Sequence, residues 1–269
     1  MIYFVSTPIG NLKDITLRAL ETLKNVDVIA CEDTRTSLKL LSHYEIDKKL
    51  VSYHKFNEAT SAKGIIQMHQ EGKDVAVISD SGTPLISDPG AVLVNTLREQ
   101  NIPYTVIPGA NALLPALVLS GLDSSRFTFV GFLPEKKKDQ QVLLQKVKNY
   151  QTTLIFYLSP HDRDKNLNTM FEELGNRRAV LVNEITKMYE KTEAFMLGEA
   201  VKMDARGEFV LVVEGAQNEE SEISQEEIGK KLQILLNNGM SSKGATKVLC
   251  ELFDLPKNKV YELTKFLEK

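Results

Sequence analysis

Three short segments of this chain mix glycine, proline, hydroxyl and carboxylate residues as a ligand-binding loop does. They are Ser6-Thr7-Pro8-Ile9-Gly10-Asn11-Leu12, the run Ser79-Asp80-Ser81-Gly82-Thr83-Pro84-Leu85-Ile86-Ser87-Asp88-Pro89-Gly90, and Pro108-Gly109-Ala110-Asn111-Ala112. Small residues let backbone approach a ligand closely, and proline fixes the shape of the loop. One such loop is ordinary punctuation between elements. Three that each follow an apolar run point to a shared cleft. A fourth segment, Cys31-Glu32-Asp33-Thr34-Arg35-Thr36, sets two acids and an arginine among hydroxyls. Asp33 or Thr34 would cap a helix starting near Thr36. Capping leaves Glu32 and Arg35 over, as a proton acceptor and an anion clamp. Later, Tyr157-Leu158-Ser159-Pro160-His161 and Asn183-Glu184-Ile185-Thr186-Lys187 also follow apolar runs. His161 reads as a helix cap rather than a base, and Glu184 and Lys187 are spaced to pair.

Other chemistries lack their residues. There is no GxGxxG after a strand pattern and no GxxxxGK[ST], which removes the main support for dinucleotide and P-loop phosphate binding. His43, His54, His69 and His161 are scattered and no HExxH occurs, so no metal site is expected. Cys31 and Cys250 are far apart and in no CxxC pairing, which fits a reducing compartment.

The elements that must position these loops are readable from periodicity. Strands are expected at Ile2–Val5, Val26–Ala30, Leu50–Tyr53, Val75–Ser79 and Tyr104–Ile107. Helices are expected between them at Ile15–Lys24, Ser37–His43, Glu58–Gln70 and Gly90–Glu99. The strand runs are apolar throughout, as in a parallel sheet covered on both faces. Ligands of such sheets sit at the carboxyl ends of the strands, where the three loops fall. Beyond Gly121 the runs Phe127–Phe132, Thr153–Leu158, Ala179–Asn183, Met188–Met196 and Phe209–Val213 predict a second α/β half with a more mixed sheet. The expected division is 1–114, 115–216, an acidic linker 217–228, and a helical tail 229–269 resembling a helix-turn-helix. That tail sets eight lysines against four acids in a chain whose net charge is −3. With 269 residues, 42% of them hydrophobic and 26% charged, the chain has the composition of an ordinary globular protein with a well-buried core. Met1–Val5 lacks the charged start of a signal peptide, and no apolar run approaches the roughly 18 residues of a membrane span. A cytoplasmic protein is expected.

The runs Ser6 to Thr16, Glu32-Asp33-Thr34-Arg35, Ser79 to Gly90, Phe127-Thr128-Phe129-Val130-Gly131-Phe132-Leu133-Pro134 and Ser159-Pro160-His161 together resemble one family. It is the ribosomal RNA small-subunit 2′-O-methyltransferase I family, a branch of the tetrapyrrole methylase superfamily, and the likeness spans essentially the whole chain. The resemblance implies two α/β domains with S-adenosylmethionine in the cleft between them, a homodimer, and methyl transfer to the ribose 2′-oxygen of a cytidine in 16S rRNA. By the same resemblance Pro8, Ile9 and Gly10 form the first cofactor loop. Asp80, Gly82, Thr83, Pro84 and Ile86 form the second, and Asn111 and Ala112 the third. Tyr157, Ser159, Val182, Asn183, Glu184 and Phe209 complete the pocket from the second domain. The chain departs from the family's Pro-Gly-Pro-Ser-Ala at 108–112 and from its Arg-Glu-x-Thr-Lys at 183–187. Asn183 has no charge with which to hold a phosphate or an ion partner.

A methyl on a sulfonium is already activated, so alignment of oxygen, carbon and sulfur is the protein's main task. Proton acceptors for the ribose hydroxyl are Asp33, Glu32, Asp80 and Lys187, with the Glu32–Arg35 loop first and Arg35 on a substrate phosphate. Acidic loops around Asp80 and Asp88 suit a cationic cofactor. RNA contacts then fall to local basic patches, Lys136, Lys137 and Lys138 and the tail with Lys243 and Lys247. Two other readings share the cleft: a methylase acting on a tetrapyrrole, which needs a wide apolar trough, and a non-catalytic protein of ribosome assembly that responds to the cofactor.

Overall fold

Strands β1 (Ile2–Val5), β2 (Val28–Cys31), β3 (Lys49–Ser52), β4 (Val75–Ile78) and β5 (Tyr104–Ile107) form a parallel sheet in the order β3-β2-β4-β1-β5. In the computed structural model, which describes residues 1–54, 58–217, 225–253 and 260, this sheet is the first half of a unit running from Met1 to Ala216. Successive side chains leave a strand on opposite faces. Ile2, Phe4, Val75 and Val77 accordingly pack with Ala62, Ile65 and Ile66 of α3 (Glu58–Gln70) and Leu93 and Leu97 of α4 (Ala91–Glu99). Val5, Ala76 and Ile78 pack on the other face with Ala19 and Leu23 of α1 (Leu17–Asn25) and Leu41 of α2 (Thr34–His43). The chain therefore leaves β1 over one face and β4 over the other, although the two strands are neighbours. That divergence is a topological switch point, and a crevice opens there at the strands' carboxyl ends.

α5 (Leu113–Ser120) is apolar on nearly every side and packs on the second sheet rather than the first, burying Ala116 and Leu117 against Ile155, Val180, Val182, Val210 and Val212. That sheet has the order β6-β7-β10-β8-β9, from β6 (Phe127–Phe132), β7 (Thr153–Leu158), β8 (Arg178–Asn183), β9 (Lys191–Met196) and β10 (Phe209–Val213). Only β6 and β7 are parallel, with an irregularity between Phe129 and Gly131. The central β10 is buried along its whole length. Its other face packs on α6 (Lys137–Val147) and α7 (Arg163–Leu174) through Leu144, Leu167 and Met170.

The element boundaries differ from the sequence expectation where caps decide them. α1 starts at Leu17, not Ile15, because the Thr16 side chain accepts from the Ala19 amide. α2 starts at Thr34, earlier than expected, because the Asp33 carboxylate accepts from the Arg35 amide. β9 begins at Lys191, since residues 184–190 are taken up by turns. The N-cap position of α7 is Asp162, whose side chain makes no cap bond, so His161 lies two residues before the helix and is not its cap.

The second unit, Gln217–Lys269, holds α8 (Gln225–Asn237) and α9 (Ser242–Phe253), joined through Ile228, Leu232, Ala245, Leu249 and Val260. Most of the acidic linker (218–224) and the tail segments with Lys257, Lys259, Lys265 and Lys269 lie outside the described residues. Among those described, no helix is long and apolar enough to cross a membrane. Leu211, fully buried on β10, is a test of the second core. Leu211→Ala should lower unfolding free energy by about 2–5 kcal/mol, read as a drop in the urea midpoint.

Candidate active site

The loops after β1 and β4 are tied together across the switch point. The Thr7 amide donates to the Gly82 carbonyl at 2.9 Å and the Gly82 amide returns a bond to the Thr7 carbonyl at 3.1 Å. Gly82 sits at φ +84°, a conformation that favours glycine, while a Cβ there would make only ordinary contact with Ile9 Cγ2 at 3.4 Å, so it is the turn that calls for glycine. The third loop joins through side chains. The Ser6 and Thr83 hydroxyls are 3.0 Å apart, and Thr83 donates to the Ala110 carbonyl at 3.4 Å. The far end of the 79–90 loop is held by Glu58, whose Oε1 accepts from the amides of Gly90 (2.8 Å) and Val92 (3.0 Å) at the start of α4.

These loops and the edge of the second sheet enclose a cleft of about 410 Å³. Ile9, Gly82, Thr83, Ile86, Asn111 and Ala112 line it from the first sheet. Tyr157, Ser159 and Phe209 line it from the second. The first-sheet loops and the second-sheet strand ends thus meet, as the positions of Ile9 and Phe209 in one wall require. Sequence reasoning missed Phe132, Ile185 and Glu208, which also line it. Phe132 was in view, at the end of a strand and before Leu133-Pro134; Glu208 sits in a polar stretch with no signal. Phe132 stands edge-on to Tyr157, with centroids 5.4 Å apart, and Tyr157 meets Phe129 in the same way at 5.0 Å. Burial, then the nearby Asp88 carboxylate, pushes the Tyr157 hydroxyl up to about 12. Asp88 itself is raised by burial and by Asp80.

A second cavity of about 290 Å³ adjoins the first and shares Ile9, Ser81 and Glu208 with it. Pro8, Gly10, Asp80 and Lys187 line this one instead. Lys187 lies over Gly10, where a Cβ would come within 2.5 Å of its Cε. Its Nζ donates to Glu184 (2.9 Å) and Glu208 (2.8 Å). Burial opposes the charge on Lys187, but the two carboxylates outweigh it and its pKa is raised.

Other expected site residues stand elsewhere. Val182 is fully buried in the core behind the cleft, and Pro84 is in the cleft's supporting loop but not in its lining. Asn183 is buried with an unpartnered Oδ1, and Glu184 is engaged by Lys187 and the Glu208 amide (2.9 Å). Glu32, Asp33 and Arg35 line neither cavity. Arg35 grips Asp33 with two side-chain bonds, at 3.1 and 2.7 Å, and these bonds with the backbone amide hold Asp33 down at about 2. Glu32 moves the other way, raised by burial and by Asp88, Asp80 and Asp33. Of the lysines, Lys136 is the N-cap of α6 and Lys137 pairs with Glu172 at 2.9 Å, with Lys138 exposed beside them. Lys243 and Lys247 are on α9 in the second unit, where Lys247 pairs loosely with Glu251 at 3.8 Å. No group of three or more metal-ligating side chains occurs among the described residues.

The profile of the Tetrapyrrole (Corrin/Porphyrin) Methylases matches residues 1–201. The protein named Ribosomal RNA small subunit methyltransferase I in Bacillus subtilis (strain 168) is 42% identical over 273 residues, covering 97% of this chain and 93% of its own length. The chain belongs to the tetrapyrrole methylase family, in its small subunit methyltransferase I branch. The protein of the same name in Synechocystis sp. (strain ATCC 27184 / PCC 6803 / Kazusa) is 40% identical, covering 100% of this chain and 98% of its own. Solved structures share the fold at lower identity. Diphthine synthase matches with a TM-score of 0.64 at 14% identity, over 80% of this chain and 89% of that one. The methyltransferase CobJ matches with 0.62 at 18%, over 80% and 94%.

Arg35→Ala should return the Asp33 carboxylate from about 2 toward the ordinary value of about 3.9, read in a carboxyl-carbon NMR titration. Because the folded pKa is the lower one, whatever the pair contributes to stability is present above about pH 4 and is lost as pH falls toward 2.

Proposed function

We propose that this chain transfers the methyl group of S-adenosylmethionine to the ribose 2′-oxygen of a cytidine in 16S rRNA of the small ribosomal subunit, as a cytoplasmic homodimer. The observation that carries this reading is 42% identity, over 97% of the chain, to a protein named Ribosomal RNA small subunit methyltransferase I. The larger cleft fits the methyl donor. Its walls are apolar at Ile9, Ile86, Ile185 and Phe209, with a few polar groups, Thr83, Asn111 and Ser159, to fix orientation. Asp88 in the lining, with Asp80 and Glu32 near it, makes a field that favours a cation.

The donor supplies a methyl activated on a sulfonium. The residues then have to align the acceptor oxygen and take its proton. Asp33 suits that task poorly, because a carboxylate held at about 2 by Arg35 is a weak base. Lys187 stays protonated between two glutamates and serves as a cation, not as a base. Asp80, in the wall of the adjoining cavity, is the proton acceptor in this reading, with Glu32 behind it. Arg35, whose side chain is 87% exposed, remains available to a backbone phosphate at the cost of its pairing with Asp33. Lys136, Lys138, Lys243 and Lys247 supply sequence-independent attraction to the RNA.

Pure protein incubated with methyl-labelled donor and unmodified small subunits should place the label on one cytidine ribose. Asp80→Asn should lower turnover by about 100-fold even at saturating donor, with donor affinity weakened as its share of the acidic field is lost. Donor binding with no label on subunits or naked RNA would overturn the reading in favour of a tetrapyrrole acceptor or a non-catalytic role.

A further inference from the structure

The second cavity shares Ile9, Ser81 and Glu208 with the cleft assigned to the methyl donor. Its lining is chemically distinct. Thr36 and Ser37 present hydroxyls from the first turn of α2, Lys39 and Lys187 present ammonium groups, and Asp80 and Glu208 present carboxylates. Two cations set against two anions do not select a free anion. Donors and acceptors interleaved in this way suit a neutral polyol, whose hydroxyls each donate and accept. A volume of about 290 Å³ with charged walls accommodates a sugar and excludes a tetrapyrrole macrocycle, which needs a broad apolar surface.

One group in this cavity is left incomplete. Ser37 is 3% exposed, it lines the cavity, and its Oγ has no nitrogen or oxygen partner, only the Cys31 thiol beside it. A buried hydroxyl whose one partner is a weak thiol leaves most of its hydrogen-bonding capacity unused, which folded proteins seldom keep without use. Its neighbour Asp80 is oriented by the Asp33 amide, which donates to Oδ1 at 3.0 Å. That bond gives the Asp33–Arg35 loop a positioning role, although neither residue lines the cavity.

We infer that the second cavity is the acceptor site and takes the ribose of an unpaired nucleotide, with Ser37 and Thr36 bonding its hydroxyls and Asp80 accepting the hydrogen bond of the one to be methylated. The inference rests on the assignment of the larger cleft to the donor. The two cavities share Ile9, Ser81 and Glu208 in their linings, so a ribose seated here borders the donor cleft, and its hydroxyl must reach the methyl directly at that shared rim.

Two variants test it, each read by steady-state kinetics on small subunits, by calorimetric binding of S-adenosylhomocysteine, and by thermal unfolding. Ser37→Ala should raise KM for subunits by about tenfold with little change in kcat, as expected for one lost hydrogen bond to a substrate hydroxyl. Its unfolding midpoint should stay nearly the same, since only a weak contact with the Cys31 thiol is lost; a purely structural serine would lower it. Thr36→Trp, at an exposed position, should block the cavity and lower kcat/KM by about 100-fold or more while S-adenosylhomocysteine binds as before. Weakened S-adenosylhomocysteine binding in both variants would make the cavity part of the donor site, and wild-type KM in both would remove it from the reaction. Wild-type protein that methylates no subunit would overturn the underlying reading, and the acceptor site with it.

Discussion

The pair of backbone hydrogen bonds between Thr7 and Gly82 is the constraint on which the site depends. β1 and β4 are parallel, yet the bridge just beyond their ends is antiparallel. One of the two chains must therefore reverse within a few residues, and Ser79-Asp80-Ser81 does so, delivering Gly82 at φ +84°. The reversal turns the Asp80 and Ser81 segment outward between the two cavities. The Thr7 hydroxyl reinforces it by donating to the Ser79 carbonyl at 3.2 Å. Without the bridge, loops leaving on opposite faces of the sheet would separate and the crevice would have no floor.

Backbone strain gathers at the same place. Of the six non-glycine residues with positive φ among the described residues, Leu85, Ser87, Glu184 and Thr186 belong to loops that frame the cavities. Such conformations cost of order 1–3 kcal/mol each and persist only where neighbours over-determine them. The restraints are identifiable. Leu85 packs against the core under α3 and α4, Glu184 is bonded to Lys187 and the Glu208 amide, and the Thr186 hydroxyl donates to Asp14. The Thr186–Asp14 and Lys187–Gly10 contacts cross from the second half to the first loop, so the strained segment also fixes how the two sheets face each other.

Much of this was legible in the residues themselves. Apolar runs without alternation gave the parallel sheet, and glycine and proline after three of them located the cleft, because loop chemistry is local. The second half was read as more mixed from its rhythm alone; its strand order, with β10 in the middle, depends on which faces pack and leaves no local trace. Side-chain partnership was the least legible. Asp33 and Arg35 look like free catalytic groups in a string of letters, but two residues apart at a helix start they pair with each other. Val182 matches a family pocket by position and shares its sheet face with the cleft-lining Tyr157 and Val210, yet it is fully buried behind them with Val180. Glu208 has no motif, and its place in the wall follows only from the fold.

The carboxylates explain how one site can treat two partners of opposite charge. Glu32 and Asp88 are both raised, each in part by the charge of Asp80, so the cluster carries unrelieved repulsion. A sulfonium in the larger cleft relieves it, whereas the neutral sulfide left after methyl loss does not, and under the proposed reaction the same field that holds the donor loosens the product. That field also repels a nucleic-acid backbone. It is tolerable because cations stand beside the acids of the second cavity, Lys39 and Lys187 next to Asp80 and Glu208, with Arg35 exposed one residue before Thr36 of its lining. The turn at Gly82 places Asp80 in the second cavity and Ser81 in both, so this one loop sets the field that each ligand meets.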